Sequence, residues 1–407
     1  MSFRDDARGL QDELVDLRRR LHREPEVGLN LPRTQEKVLQ SISDLPLNIS
    51  LGNDLSSVTA VLKGNQPGPT VLLRGDMDAL PVTERTGASY AASSDRMHAC
   101  GHDLHTAMLS GAARLLAEKV DSLRGDVIFM FQPGEEGYDG AGHMLREGVL
   151  DATGDKPVAA YALHVTSAII PGGLFVTRHG PIMSASDEMY VTVRGAGGHG
   201  SMPHLARDPM PGACEMVLAL QSMVTRRFDI HDPVVLTVGS FHGGTASNVI
   251  TDEVTFKATI RTYSKAARAT AKDECARVIK NLAAAHGLSV DFDYDENYPV
   301  TVNSDSEADF VANSVRENLG EERFHWSPHP FPGSEDFSRV IGEVPGAFTM
   351  LGAVPQGADP MKAPNNHSPL AEFDDSVLSD GAATYAQLAF ERLEREPADH
   401  HVSSSAH

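Results

Sequence analysis

The sequence predicts an α/β protein with a smaller α+β domain inserted into its chain, and three observations carry that expectation. Continuously apolar runs of strand length alternate with a helical stretch over residues 58–165, the pattern of strands covered on both faces. The middle of the chain instead alternates polar and apolar residues, as half-exposed strands do. The length of 407 residues accommodates two to three domains and a full core without disulfide or metal staples.

Taken in order, Phe3, Ala7, Leu10, Leu14, Leu17 and Leu21 recur at spacings of four and three with charges between them. They predict one amphipathic helix over 3–22 that stops at the REPE turn. VTAVLK (58–63), TVLLRGD (70–76) and DVIFMFQ (126–132) read as strands, with a helix over 106–119 between the last two and a further strand, AAYALHV, at 159–165. Ligand sites in such sheets gather at the carboxyl ends of strands, which is where RGDMD, QPGEEG and LHV fall. EMYVTVRG (188–195), a helix over 208–226, PVVLTVGSF (233–241), EVTFKATIRTY (253–263), a helix over 265–286 and LSVDFDYDE (288–296) follow. Their order of strand, helix, strand, strand, helix, strand is the ferredoxin-like pattern. Strand signals resume at AFTMLGA (347–353), and a last helix covers about 376–393. The expected division is a discontinuous larger domain of 1–185 and 298–395, an inserted domain of 186–297, and a disordered polar tail from 396. His400 and His401 are read as tail composition.

Composition narrows the function. With 41% hydrophobic and 22% charged residues, the chain is neither disordered nor fibrous. Asp and Glu number 56 against 35 Lys and Arg, a net charge of −21, which argues against a nucleic-acid partner, because such binders carry basic stripes. A small acidic substrate needs only one or two local cations and stays open. No run approaches the length of a membrane span, and the charged first twenty residues do not read as a secretory signal. Cys100, Cys214 and Cys275 are an odd number for a disulfide framework, so a reducing cytoplasm is expected.

The chemistry concentrates in MHACGHDLHTA, which brings His98, Cys100, His102 and His105 within eight residues. Thiolate and imidazole suit zinc and its neighbours, although histidines that merely cap the following helix are as common. Cys100 before a helix could also be a thiol nucleophile with His102 as its base. QPGEEG weighs against that. Glu135 and Glu136 follow an apolar strand in a tight turn, where one carboxylate can bind a cation while its neighbour acts as general base. A thiol hydrolase has no need of the pair. His164 ends an apolar strand, and His367 lies in APNNHSP; each alone is more often structural. Asp76 and Asp78 leave a strand two residues apart, so one could orient a ligating imidazole.

With these segments in view, the chain resembles the cocatalytic-metal amidohydrolases related to aminoacylase, hippurate hydrolase and the indole-acetyl-amino-acid hydrolases. The resemblance runs from about Leu14 to Leu393 and rests on LHREPEVGL, RGDMDALPVTERTG, MHACGHDLHTA, FQPGEEG, LHV, GGHGSMPH, NVI, GSEDF and NHSP, in that order. It implies a zinc-peptidase-like α/β/α catalytic domain with an inserted ferredoxin-like lid or dimerisation domain. It further implies two divalent metal ions per subunit, zinc foremost, with manganese, cobalt or nickel as alternatives. Their ligands would be Cys100, His102, Glu136, His164 and His367, with Glu135 as general acid/base and Asp78 in a catalytic position. Asp76 stands where the peptidase branch has a ligating histidine, which with Cys100 points to the amidohydrolase branch. His199 matches a histidine that reaches the substrate carbonyl, and Asn248 and Arg261 match positions holding a carboxylate. From the residues alone, His199 and His204 flank a Gly-rich turn and read first as turn caps. The implied reaction is hydrolysis of an N-acyl amino acid by a homodimer or higher homo-oligomer. Peptide hydrolysis on the same scaffold is the alternative, and a non-catalytic metal protein is the remaining one.

Overall fold

The computed structural model describes residues 3–395, so the expected tail with His400 and His401 lies outside the described residues. The chain forms two compact units. The first comprises the chain up to Gly180, Asn303–Pro328 and the chain from Arg339 onward; the second comprises Pro181–Val302 and His329–Ser338.

The first unit is built on a mixed sheet whose strands lie in the order Leu47–Leu51, Val58–Lys63, Arg124–Gln132, Gln66–Asp76, Ala159–Thr166, Gly346–Gly352, Phe175–Thr177 and Phe324–Trp326. The four central strands, Arg124–Gln132 through Gly346–Gly352, run parallel. Ala159–Thr166 and Gly346–Gly352 are buried along their whole length, which explains why they read as unbroken apolar runs. Leu47–Leu51 and Val58–Lys63 depart from the parallel pattern and pair antiparallel. The short loop at 52–57 permits a hairpin return and is too brief for a crossover.

Helix His102–Ala117 is apolar on nearly every side because it lies among the sheet and the helices Gln11–Arg23 and Leu378–Glu394. It starts at His102, four residues earlier than its apolar period suggests, so His102 and His105 sit within its first turn. The amino-terminal helix is two helices, Arg4–Gly9 and Gln11–Arg23. Strand Leu47–Leu51 and helices Pro32–Ser41 and Asp305–Leu319 were not foreseen; the strand is mostly exposed and offers no apolar run.

The second unit is a four-stranded antiparallel sheet in the order Val235–Gly243, Glu253–Arg261, Ser186–Arg194 and Ser289–Tyr298. Helices Pro209–Arg227 and Lys265–Ala285 pack on it. Alternate residues of the strands (Met189, Val191 and Val193; Val254, Phe256, Ala258 and Ile260) form a core with Met216, Leu220, Ala271 and Ile279. The fold class is the α/β one expected, with the ferredoxin-like strand order in the second unit. Among the described residues no helix is long and apolar enough to cross a membrane.

Candidate active site

Three neighbouring parallel strands of the first unit deliver polar groups from their carboxyl ends. Gln66–Asp76 leads to Asp76 and Asp78, Arg124–Gln132 leads to Glu135 and Glu136, and Ala159–Thr166 carries His164. Cys100 and His102 flank Gly101, whose φ of 83° lies in the left-handed region that favours glycine. A Cβ there would come within 2.4 Å of Val165 Cγ2, so the helix start docks tightly on the strand that bears His164.

The five expected ligands form one connected cluster. Cys100 Sγ lies 3.5 Å from His164 Nε2 and 3.3 Å from His367 Nε2. His367 Nε2 is 3.1 Å, and His102 Nε2 3.9 Å, from Glu136 Oε1. Cys100, His102 and His164 could together hold a metal ion, as could Cys100, Glu136 and His367, and also His102, Glu135 and Glu136. His164 Nδ1 donates to the Val165 carbonyl at 2.8 Å, which puts the ring proton on that side and leaves the Nε2 lone pair facing Cys100.

Asp78 is buried, and its carboxylate is engaged by the backbone. Oδ1 accepts the Glu135 N–H at 2.9 Å and Oδ2 the Glu136 N–H at 3.0 Å. It therefore fixes the turn that presents both glutamates, and Oδ1 also lies 3.5 Å from His102 Nδ1.

His105 is held elsewhere. Its Nε2 accepts the Val165 N–H at 2.7 Å, so its proton is on Nδ1, which faces Asp76 Oδ1 at 2.5 Å. With both nitrogens engaged it ties the helix to the strand of His164. His98 is fully buried, is pushed down to about 3 by burial, and belongs to none of the potential metal-holding groups among the described residues.

Electrostatics favour a cation. Burial disfavours a charged His102, but Asp76, followed by Asp78 and Cys100, holds its pKa well above the usual imidazole value. Hydrogen bonds to Cys100 and Glu136 raise His367 to about 10. Burial alone would raise Asp76, yet Arg74, followed by His102 and His105, holds it well below the carboxylate range. Among the described residues, both ring nitrogens of His102 are buried without a hydrogen-bond partner, and Oε1 of Glu136 faces only imidazole nitrogens, His367 Nε2 at 3.1 Å and His102 Nε2 at 3.9 Å. Buried polar atoms are normally partnered, and these are atoms of proposed ligands, so a divalent cation fits the donor set of one thiol, three imidazoles and a carboxylate.

The other expected residues belong to the second unit. His199 is exposed in the short strand Gly198–His199, opposite Val249. Its Nδ1 accepts the Ser201 N–H at 3.1 Å, the turn-capping contact anticipated from the Gly-rich turn. Asn248 is exposed, and its carbonyl accepts the Gly200 N–H at 2.8 Å. Arg261 donates to Ser334 Oγ at 3.0 Å.

Sequence reasoning passed over two features. One is the buried set of Arg18, Asp103 and His22 behind the helix start, where Asp103 lies 2.8 Å from both partners. The other is Asn366, next to His367. Adjacency to a ligand was the only signal for either.

The fold and this cluster are those of a hydrolase whose candidate metal-holding groups gather at the carboxyl ends of the strands of an α/β sheet. The chain belongs to peptidase family M20/M25/M40, whose description matches residues 72–391. It is 33% identical to thermostable carboxypeptidase 2 of Saccharolobus solfataricus over 95% of this chain and 97% of that protein. It is 35% identical to IAA-amino acid hydrolase ILR1-like 4 of Arabidopsis thaliana over 93% of this chain and 85% of that one. Among solved structures, the Bacillus subtilis YXEP protein, described as a dinuclear metal binding peptidase of the M20 family, superposes with a TM-score of 0.81. It is 28% identical and covers 95% of this chain and 99% of its own.

Proposed function

We propose that the protein hydrolyses the amide bond of N-acyl amino acids of acetyl, benzoyl or indole-acetyl type, releasing a carboxylic acid and a free amino acid. The observation that carries this reading is the Glu135–Glu136 turn, held by Asp78 against a thiol–imidazole cluster. Cys100, His102, Glu136, His164 and His367 would hold two divalent ions, zinc foremost and manganese, cobalt or nickel as alternatives. Bound ions of this kind polarise a carbonyl and bring the pKa of water toward neutrality. Glu135 takes the proton of the attacking water and returns it to the leaving amine nitrogen. Asp78 keeps the Glu135 backbone in place during both transfers. His199 is proposed to act on the scissile carbonyl, and Asn248 and Arg261 on the substrate carboxylate.

The likeness to the Arabidopsis hydrolase supports an acyl-amino-acid substrate, and the likeness to the Saccharolobus carboxypeptidase supports a peptide as the second reading. Release of amino acid from N-acetyl, N-benzoyl and indole-acetyl amino acids, set against dipeptides, tests the choice. Each substrate is assayed before and after chelation, then with single metals restored. Chelation-sensitive turnover of the acyl amino acids alone supports the first reading; turnover of dipeptides alone selects the second. Activity that survives chelation would make Cys100 a nucleophile and sink both. A cytoplasmic homodimer or higher homo-oligomer is proposed on the same footing, with sedimentation as its check.

A further inference from the structure

We propose that Asn366 is the positioning residue that holds the three ligand-bearing segments of the metal centre in register, and that it thereby sets how tightly the metal is bound. The inference rests on the ligand assignment made above for Cys100, His164 and His367.

The loop carrying His367 has little else to define its place. From residue 355 to residue 370 no side chain is buried, so apolar packing does not locate it. Its position is set by hydrogen bonds. Backbone tethers join Pro360 O to Ile169 N, His367 N to Ala99 O, and Pro369 O to Arg85 N, each at 2.8 Å. His367 itself adopts a φ of 70°, a conformation that any residue with a Cβ resists and that the surroundings must impose.

Within that loop a single side chain reaches both other ligand segments. Asn366 Nδ2 donates to the Val165 carbonyl at 3.0 Å and to the Cys100 carbonyl at 3.3 Å, and it stands 3.7 Å from Cys100 Sγ. Its Oδ1 accepts the Ser167 N–H at 2.9 Å. Ser167 Oγ lies 3.0 Å from the same oxygen and 2.8 Å from the Pro364 carbonyl, and its one proton serves either acceptor in turn. The amide can sit only one way round: reversed, its oxygen would face two carbonyl oxygens and its NH2 a backbone N–H.

One planar group thus fixes the carbonyl of Val165, the residue after His164, the carbonyl of Cys100 and the residue before His367 relative to one another. Aspartate has the same shape and cannot do this, because it lacks both donors and sets a charge against the two carbonyls. Substitution of outer residues that orient metal ligands typically weakens metal binding 10- to 100-fold.

The test uses the full chain, stripped of metal and titrated with cobalt and with zinc against a chromogenic chelator. Thiolate-to-cobalt absorption is recorded for the parent, N366D, N366A and C100A. The expected result is a loss of at least tenfold in metal affinity for N366D and N366A under conditions where both remain folded, together with a displaced cobalt–thiolate band. Affinity within twofold of the parent and an unchanged band would overturn the proposal, even if the melting temperature fell, since that is the signature of a merely structural role. N366A, which leaves room for water in place of the amide, carries the same reading should N366D fail to fold. C100A separates the two levels. If it binds metal like the parent, the ligand assignment falls and takes the proposal with it. If it loses metal while the Asn366 variants keep it, the ligand assignment stands and Asn366 is excluded.

Discussion

Asp78→Asn exchanges one oxygen for an NH2 group on the side chain that holds the glutamate turn, and its effect can be worked from the geometry. The native carboxylate is 1% exposed and accepts the Glu135 and Glu136 N–H groups at 2.9 and 3.0 Å. Asparagine keeps one acceptor oxygen and turns an NH2 toward the other N–H. A buried donor left facing a donor costs roughly 1–3 kcal/mol, and the surviving bond weakens because charge-assisted bonds are about twice as strong as neutral ones. The sum is about 2–4 kcal/mol, shared between stability and the placement of Glu135. If half falls on placement, kcat drops about 5- to 30-fold. The assay is steady-state amino-acid release, with metal content by elemental analysis and a urea unfolding curve on the same sample. A kcat within twofold of the parent, with metal content and urea midpoint unchanged, would refute the argument that this carboxylate holds the turn.

Gly101→Ala forces a Cβ onto a φ of 83° and to 2.4 Å from Val165 Cγ2. The left-handed conformation costs about 1–2 kcal/mol and overpacking about 1–3 kcal/mol, so denaturant unfolding should register a loss of about 2–5 kcal/mol; a loss under about 1 kcal/mol would mean the docking is soft. Asp103→Asn removes one of the two carboxylates paired with Arg18, 1% exposed, and leaves the Asp375 carboxylate at 3.1 Å as the remaining countercharge; breaking a buried pair costs about 3–5 kcal/mol. Although burial works against it, Arg18, followed by His22, holds Asp103 well below the carboxylate range. Its contribution is therefore full above the unfolded value of about 3.9 and is lost as pH falls through the folded value. Stability of the variant should fall less steeply below about pH 4, and a parallel acid limb would contradict this. Peptide mapping after alkylation at about pH 8 should find Cys214, which is exposed, labelled and Cys275 unlabelled, since burial pushes the Cys275 thiol up to about 12. Labelling of Cys275 in the folded protein would contradict its burial.

Much of the site was legible because its parts are local in sequence and end strands with a plain apolar signature. MHACGHDLHTA, QPGEEG and LHV each follow or precede a buried element, and periodicity locates such elements to within a few residues. What stayed illegible was the difference between residues of one type. His98, His102 and His105 look alike in one eight-residue run. Burial leaves His98 uncharged, Asp76 and a backbone N–H occupy His105, and only His102 turns its nitrogens toward the cluster.

By itself, then, the sequence determined the α/β class, the family, and the short segments in which the candidate ligands sit, because apolar period and residue spacing are properties of neighbouring residues. Tertiary structure alone decided how the Cys100, His164 and His367 side chains, up to 267 positions apart, meet, that Asp78 serves the backbone of two glutamates, and that Asn366 bridges the segments of Cys100 and His164. Those are hydrogen bonds between segments remote in sequence, and no periodicity records a partner that only the fold brings within reach.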